Sequence, residues 1–275
     1  MKMEKERKVE IMGIVNITDN SYLASSRCLG RDGSADMEKV LGRVSRMLEE
    51  GADIIDIGAC STRPGSDPVG EHEEWKRLEP VLRAVRKEFP PVPVSIDTYW
   101  ASVVEKAADL IGPFIVNDIS AGEDDPKMLP TVGRLGLKYV AMHKRGTPKT
   151  MQSLCEYGNV TEDVLQYFRE FGEKAAKAGI EDWILDPGFG FAKTVEQNWQ
   201  MLRELDRFLT LGHEILVGVS RKSMIYRLFD ITPEESLPQT QVLHLAALQK
   251  GASILRVHDV AEARRTVTAW QMLQK

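Results

Sequence analysis

Eight short apolar stretches recur along this 275-residue chain, most of them running into a polar or charged residue at their C-terminal end. Residues 11–15 precede Asn16, 54–57 precede Gly58, 92–96 precede Asp97 and 114–116 precede Asn117. Residues 139–142 then precede His143, 183–185 precede Asp186, 215–219 precede Ser220, and 254–255 precede Arg256 and His258. Helix-like segments separate them. Parallel strands alternating with helices bring all their C-terminal ends to one face. The pattern therefore predicts an α/β fold, a single-domain (β/α)8 TIM barrel over residues 1–275, with residues 1–9 as a flexible N-terminal segment. The polar residues, far apart in sequence, are expected around one cavity, and that convergence argues for an enzyme.

Bulk properties narrow the class. With 43% hydrophobic and 28% charged residues the chain reads as globular and long enough for a sizeable core. A formal charge of −5 gives no electrostatic footprint for nucleic acid. The longest apolar runs are too short to cross a bilayer, and the charged start is not a signal peptide, so no membrane partner is expected. Cys28, Cys60 and Cys155 are odd in number, widely spaced and without a CxxC, which fits a reduced cytoplasmic setting better than a disulfide or zinc framework.

Val40, Leu41, Val44, Met47 and Leu48 recur at helical spacing before Gly51, as do Leu78, Val81, Leu82 and Val85 before Pro90-Pro91. Shorter helices are expected over 101–110 and 127–135, a long one from Val164 to Gly179, and others over 198–209, 238–249 and 260–273. Three connections are long: 17–33, 59–70 and 143–159. Loops of more than about 12 residues in a compact domain tend to be functional. On the polar face of a barrel they are expected to act as lids.

Asp97, Asn117 and Asp186 fall at the ends of strands three, four and six. Two carboxylates and a carboxamide suit a flat heterocycle with N–H groups; singly, each is equally a helix cap. Ser220-Arg221-Lys222-Ser223 follows strand seven and Arg256-Val257-His258 closes strand eight, the usual anion position of this fold. A phosphate or diphosphate is the expected ligand there, against the alternative of a solvated Arg-Lys pair and a core histidine. Asn16 offers a hard oxygen suited to Mg²⁺, though an asparagine after a strand is ordinarily a turn residue. His143 reads first as a core histidine. Gly188-Phe189-Gly190-Phe191 lacks dinucleotide spacing, so its glycines let backbone approach a ligand while Phe191 stacks on it.

These motifs resemble dihydropteroate synthase. The resemblance rests on Ile11-Met-Gly-Ile-Val-Asn16-Ile-Thr18, Asp56-Ile-Gly58 with Ser61-Thr-Arg-Pro-Gly65, Ser95-Ile-Asp-Thr98 and Asn117-Asp-Ile-Ser120. Met142-His143 with Gly146-Thr-Pro148, Asp186-Pro-Gly-Phe-Gly-Phe191 with Lys193, Ser220-Arg-Lys-Ser223 and Arg256-Val-His-Asp259 complete it, in family order over nearly the whole chain. It implies a transferase of folate biosynthesis that joins 6-hydroxymethyl-7,8-dihydropterin diphosphate to 4-aminobenzoate and releases pyrophosphate. Carried over by position, Asp97, Asn117, Met142, Asp186, Phe191, Lys222 and Arg256 would hold the pterin. Asn16, Thr62, Arg63, Arg256 and His258 would take the diphosphate, with Mg²⁺ on Asn16. Thr62, Pro64 and Ser223 would receive 4-aminobenzoate, and Asp97, Asp186, Lys222 and Arg63 would serve catalysis. The resemblance also implies a homodimer and a sulfonamide target.

The chain departs from the family pattern in two places. Where the first loop typically reads Thr-Pro-Asp-Ser-Phe, it has Thr18-Asp19-Asn20-Ser21-Tyr22, and Ala59-Cys60 stands where Gly-Glu is common. Two other functions fit part of the pattern. A methyltetrahydrofolate:corrinoid methyltransferase domain would use the pterin residues but not the cationic ones, and a pterin-binding paralogue without turnover would accommodate the altered first loop.

Overall fold

Strands form where apolar residues alternate between two buried faces, because in a barrel one face meets the helices and the other the interior. The computed structural model describes residues 7–18, 28–30, 33–60, 69–147 and 149–275. Its strands are β1 (Glu10–Asn16), β2 (Ile54–Gly58), β3 (Val94–Asp97), β4 (Ile115–Asp118), β5 (Lys138–Met142), β6 (Trp183–Asp186), β7 (Glu214–Val217) and β8 (Ile254–Val257). They pair in parallel and in chain order, and β8 closes on β1. The (β/α)8 barrel expected from the sequence is the observed fold.

Inward-facing Met12, Ile54, Ile115, Val140, Ile184, Leu216 and Ile254 pack together and fill the lower barrel. Below them, the Lys138 ammonium lies 2.5 Å from the Glu214 carboxylate and 3.7 Å from Asp182, sealing the N-terminal end of the strands. Outward-facing Ile11, Val15, Ile57, Ile96, Val116, Leu185, Val217 and Val257 belong to the larger core shared with the helices. The interior is thus a packed plug with its polar end uppermost.

The helices are α1 (Met37–Glu49), α2 (Glu71–Glu88), α3 (Ala101–Ile111), α4 (Met128–Leu135), α5 (Val160–Ala178), α6 (Val195–Arg203), α7 (Ser223–Phe229), α8 (Leu237–Gln249) and α9 (Val260–Leu273). Local chemistry sets their ends. Asn159 accepts from two amides of the first turn of α5, and Gly179 ends that helix in the left-handed region. The helix expected over 198–209 divides into α6 and a 3-10 segment, Leu205–Leu211, with the break at Glu204. Of the expected free segment, residues 1–6 lie outside the described residues. Arg7 is anchored, its guanidinium 4.8 Å over Trp270 and bonded to the Leu248 carbonyl, and Val9 is buried.

The connection after β5 differs from a free lid. Arg145 stacks 3.8 Å over Tyr157 and bonds to the Glu156 carbonyl, while Met151 is buried in a 3-10 turn. Positions 19–27, 31–32 and 61–68 of the other two long loops lie outside the described residues.

Helix α4 crosses the end of α5 at Gly133, where an added Cβ would come within 1.7 Å of the Ala178 carbonyl oxygen. Backbone cannot yield as a side-chain tip does, so the two helices would have to separate. Gly133→Ala is expected to destabilise the fold by about 2 kcal/mol, the range of core overpacking. Thermal unfolding, measured by circular dichroism, checks this; an unchanged midpoint contradicts the close packing.

Candidate active site

The period-2 alternation that buries Met12 and Ile54 below carries their strands' later residues to the open end of the same interior. Gly58 pairs with Asp97, Asp97 with Asn117, Met142 with Asp186, and Met12 with Arg256. Asp97, Asn117, Asp186 and Arg256 therefore share that interior, as expected.

At the centre is Arg256. Its Nε donates to Asp56 Oδ2 at 2.7 Å and its Nη2 to Asp97 Oδ2 at 2.7 Å, while Asn117 Nδ2 donates to Asp56 at 3.2 Å. Burial opposes the guanidinium charge, but Asp56 and Asp97 overcome it and hold Arg256 above its ordinary pKa. Burial pushes the Asp97 carboxyl up to about 7; Arg256 opposes that shift and Asp56 adds to it. Asp56 is wholly buried. Its role is not legible in the sequence, because it sits within a stretch that reads as apolar. An acid inside a buried strand is itself a signal, since such groups are almost always paired.

The opposite wall is built by the turn after β6. Asp186 Oδ1 accepts from the Gly188 amide at 2.8 Å, and burial raises its carboxyl pKa against the pull of Lys222. Lys222 Nζ donates to the Phe189 carbonyl at 2.6 Å and lies 4.9 Å from the centre of the Phe191 ring. Burial lowers the Lys222 ammonium to about 8, with Asp186 opposing. Gly190 sits at φ +85° with room for little else, because an added Cβ would meet Lys222 Cδ at 3.3 Å. Neither Asp97, Asn117 nor Asp186 caps a helix: the N-caps of α3, α4 and α6 are Trp100, Lys127 and Thr194.

The expected cationic cluster is smaller than its letters. Arg221 adopts φ +55° and turns away, pairing through Nε and Nη2 with both oxygens of Asp259 at 2.8 and 2.9 Å. Its Nη1 donates to the carbonyls of Pro233 and Glu234. Asp259, two residues beyond the end of β8, gives this buried guanidinium a bidentate partner outside the cavity. His258 is neutral, because burial takes its pKa down to about 3, and its Nδ1 lies 3.0 Å from Ser220 Oγ. It offers hydrogen bonds and no charge. Lys222 and Arg256 supply the positive charge.

Met142 is buried in an apolar cluster with Cys60, Tyr99 and Ile119, flanked by Val69, Trp100 and Phe191. The Cys60 Sγ is 3.8 Å from Tyr99 Oη, and burial raises its pKa, so it stays a thiol. Ser223 opens α7 beside Lys222 and is half-buried. Asn16 ends β1 with the inward parity of Met12 and Ile14. His143 is buried with its pKa held well below the ordinary value by burial and by Lys193, as a core histidine. Thr62, Arg63, Pro64, Asp19 and Asn20 lie outside the described residues.

A buried patch of alternating carboxylates, carboxamide and cations can hold a flat, polar heterocycle edge-on while its neighbours take an anion. Comparison with known proteins identifies the family. Residues 12–258 match the family described as pterin binding enzyme. A dihydropteroate synthase of Haemophilus influenzae is 42% identical over 264 residues, covering 95% of this chain and 93% of that protein. One from Escherichia coli is 37% identical, covering 96% and 90%. Among solved structures, a Yersinia pestis dihydropteroate synthase in a sulfonamide drug complex superposes with TM-score 0.90 at 34% identity, over 97% of this chain and 94% of that one. A Xanthomonas albilineans dihydropteroate synthase with 4-aminobenzoic acid gives TM-score 0.86 at 35% identity, over 97% and 93%. With its barrel, its buried charge pattern and this extent of similarity, the chain belongs to the pterin-binding enzymes, among the dihydropteroate synthases.

Proposed function

We propose that this chain condenses 6-hydroxymethyl-7,8-dihydropterin diphosphate with 4-aminobenzoate, forming 7,8-dihydropteroate and pyrophosphate. The observation that carries the reading is the convergence of Asp97, Asn117, Asp186, Lys222 and Arg256 at the open end of the barrel. The carboxylates and carboxamide take the pterin's amidine-like edge, and Met142 and Phe191 supply its apolar contacts. Arg256 stacks on the ring and, with Asn16, Thr62, Arg63 and His258, holds the diphosphate. Thr62, Pro64 and Ser223 take 4-aminobenzoate.

Mg²⁺ fits the donor set at the end of β1. A carboxamide oxygen, waters and phosphate oxygens make a shell this ion accepts. Among the described residues no group of three His, Cys, Asp or Glu side chains could hold a metal. Asn16 together with the diphosphate would hold the ion, which when bound offsets charge on the leaving group.

Arg256, Lys222 and the diphosphate residues stabilise the departing pyrophosphate as the exocyclic carbon–oxygen bond breaks. Cations placed in a dehydrated site contribute several kcal/mol to such a step. Asp97 and Asp186 support the positive charge spread over the pterin, and the arylamine nitrogen attacks the exocyclic carbon. Arg63 belongs to the second loop and serves turnover more than pterin binding. Excluding water matters, because water competes for the same carbon. Cys60, a buried thiol, has no nucleophilic part in this scheme.

A homodimer is part of the same reading. Val242 on α8 and Met272 and Leu273 at the end of α9 are 66%, 61% and 66% exposed, large apolar groups that a second copy would cover. No helix among the described residues is long and apolar enough to cross a membrane. A cytoplasmic location rests on cysteines kept as thiols. Sulfonamides, as mimics of 4-aminobenzoate, are proposed to compete for its site.

The decisive assay is pyrophosphate release from pterin diphosphate and 4-aminobenzoate with Mg²⁺; release must require both substrates, and its absence leaves only a binding protein. Asp186→Ala should weaken pterin binding about a hundredfold, close to 3 kcal/mol for hydrogen bonds to a charged group, with thermal stability retained. Calorimetry showing normal affinity removes Asp186 from the site. Lys222 keeps its proton below about 8 and loses it above. Turnover should therefore fall as pH rises through 8, and Lys222→Arg, charged throughout that range, should lose that alkaline limb at a reduced rate. A pH–rate profile unchanged in Lys222→Arg assigns the limb to another group.

A further inference from the structure

Lys193 is a buried lysine that the proposed chemistry does not use. It lies 3% exposed beneath the turn after β6. Its Nζ has three partners: His143 Nδ1, the Gly188 carbonyl and the Phe191 carbonyl, each at 3.0 Å. An ammonium carries three N–H groups and no acceptor, so the three partners match its donors one for one. The same turn is gripped from the cavity side by Lys222, which donates to the Phe189 carbonyl. It is also seated tightly, since an added Cβ on Gly188 would lie 2.0 Å from the His143 carbonyl oxygen.

We propose that Lys193 is a positioning residue of the pterin site: its Nζ pins residues 188–191, and through them sets where Phe191 and Lys222 stand against the ligand. This rests on the pterin reading of the cavity. Two lysines hold one turn from opposite sides, Lys193 on the carbonyls of Gly188 and Phe191 and Lys222 on the carbonyl of Phe189 between them. Residues 188 and 190 both sit at positive φ, a backbone conformation that glycine reaches without steric cost. Asp186 and Asn198 accept from the amides of Gly188 and Gly190, and Lys193 fixes the carbonyls on either side.

His143 completes the device. The edge of its ring packs against Tyr167, centroids 4.8 Å apart and planes at 86°, which fixes its orientation. Around Lys193 stand Asp186, Lys222, Arg145 and Cys155, and burial brings its ammonium down to about 7. The pin holds on both sides of that value. The ammonium donates to all three partners; the free amine donates to the two carbonyls and accepts from a Nδ1–H tautomer of His143.

Lys193→Met keeps an unbranched side chain, one atom shorter, and removes every one of these bonds. Binding of 6-hydroxymethylpterin by calorimetry is expected to weaken about tenfold, with KM for pterin diphosphate rising in parallel. The KM for 4-aminobenzoate should stay within twofold while kcat falls with the displaced Lys222, a split between the two substrates that general destabilisation would not produce. His143→Phe keeps the ring against Tyr167 and deletes one partner, and should weaken pterin binding about fourfold. Affinity within twofold of wild type in Lys193→Met, or in His143→Phe should that variant alone fold, overturns the proposal. Asp186→Ala is run alongside: if it also binds the pterin normally, the ligand assignment itself has failed, whereas its loss with an unaffected Lys193→Met rejects the pin alone.

Discussion

The structure depends first on the guanidinium of Arg256. It crosses over β1 to reach Asp56 on β2 and Asp97 on β3, residues 200 and 159 positions away in sequence. Asn117 on β4 joins through Asp56, so one hydrogen-bonded network spans four strands of the closed barrel. Burying two carboxylates costs several kcal/mol each unless they are paired. Here one forked cation serves both, which is the arrangement planar guanidinium favours. The pairing lets a charged site exist above an apolar plug without first collecting a ligand, and it fixes the carboxylates before anything binds.

The other half of the cavity is held differently. Around β6 and β7 backbone does the positioning: Asp186 takes the Gly188 amide, Lys222 the Phe189 carbonyl, and Lys193 the carbonyls on either side. Glycines are required because the turn presses on the His143 carbonyl below and the Lys222 side chain above. One wall is thus set by ion pairs between strands, and the facing wall by a glycine turn hung between two lysines.

Much of this was legible in the residues. Strand parity placed Asp97, Asn117, Asp186 and Arg256 on one interior because period 2 is strict and each stretch ended in its polar residue. Asp56 escaped because its neighbours Ile54, Ile55 and Ile57 make the stretch look uniformly apolar. The direction of Arg221 was not readable, since it depends on a left-handed backbone angle and on Asp259, 38 positions on. The charge of His258 was equally hidden, because burial beside Ser220 and Arg256 neutralises a group whose type alone suggests a cation. Helix breaks such as that at Glu204 depend on packing, which periodicity cannot see.

The filled lower barrel has a kinetic meaning. Met12, Ile54, Val140, Ile184, Leu216 and Ile254 pack together and Lys138 closes on Glu214 beneath them, so among the described residues the lower end of the barrel is filled. Whatever settles against Asn117 and Asp186 must reach them from the open end of the strands, ahead of any companion seated nearer the rim. The order of entry is therefore dictated by architecture before any affinity is considered.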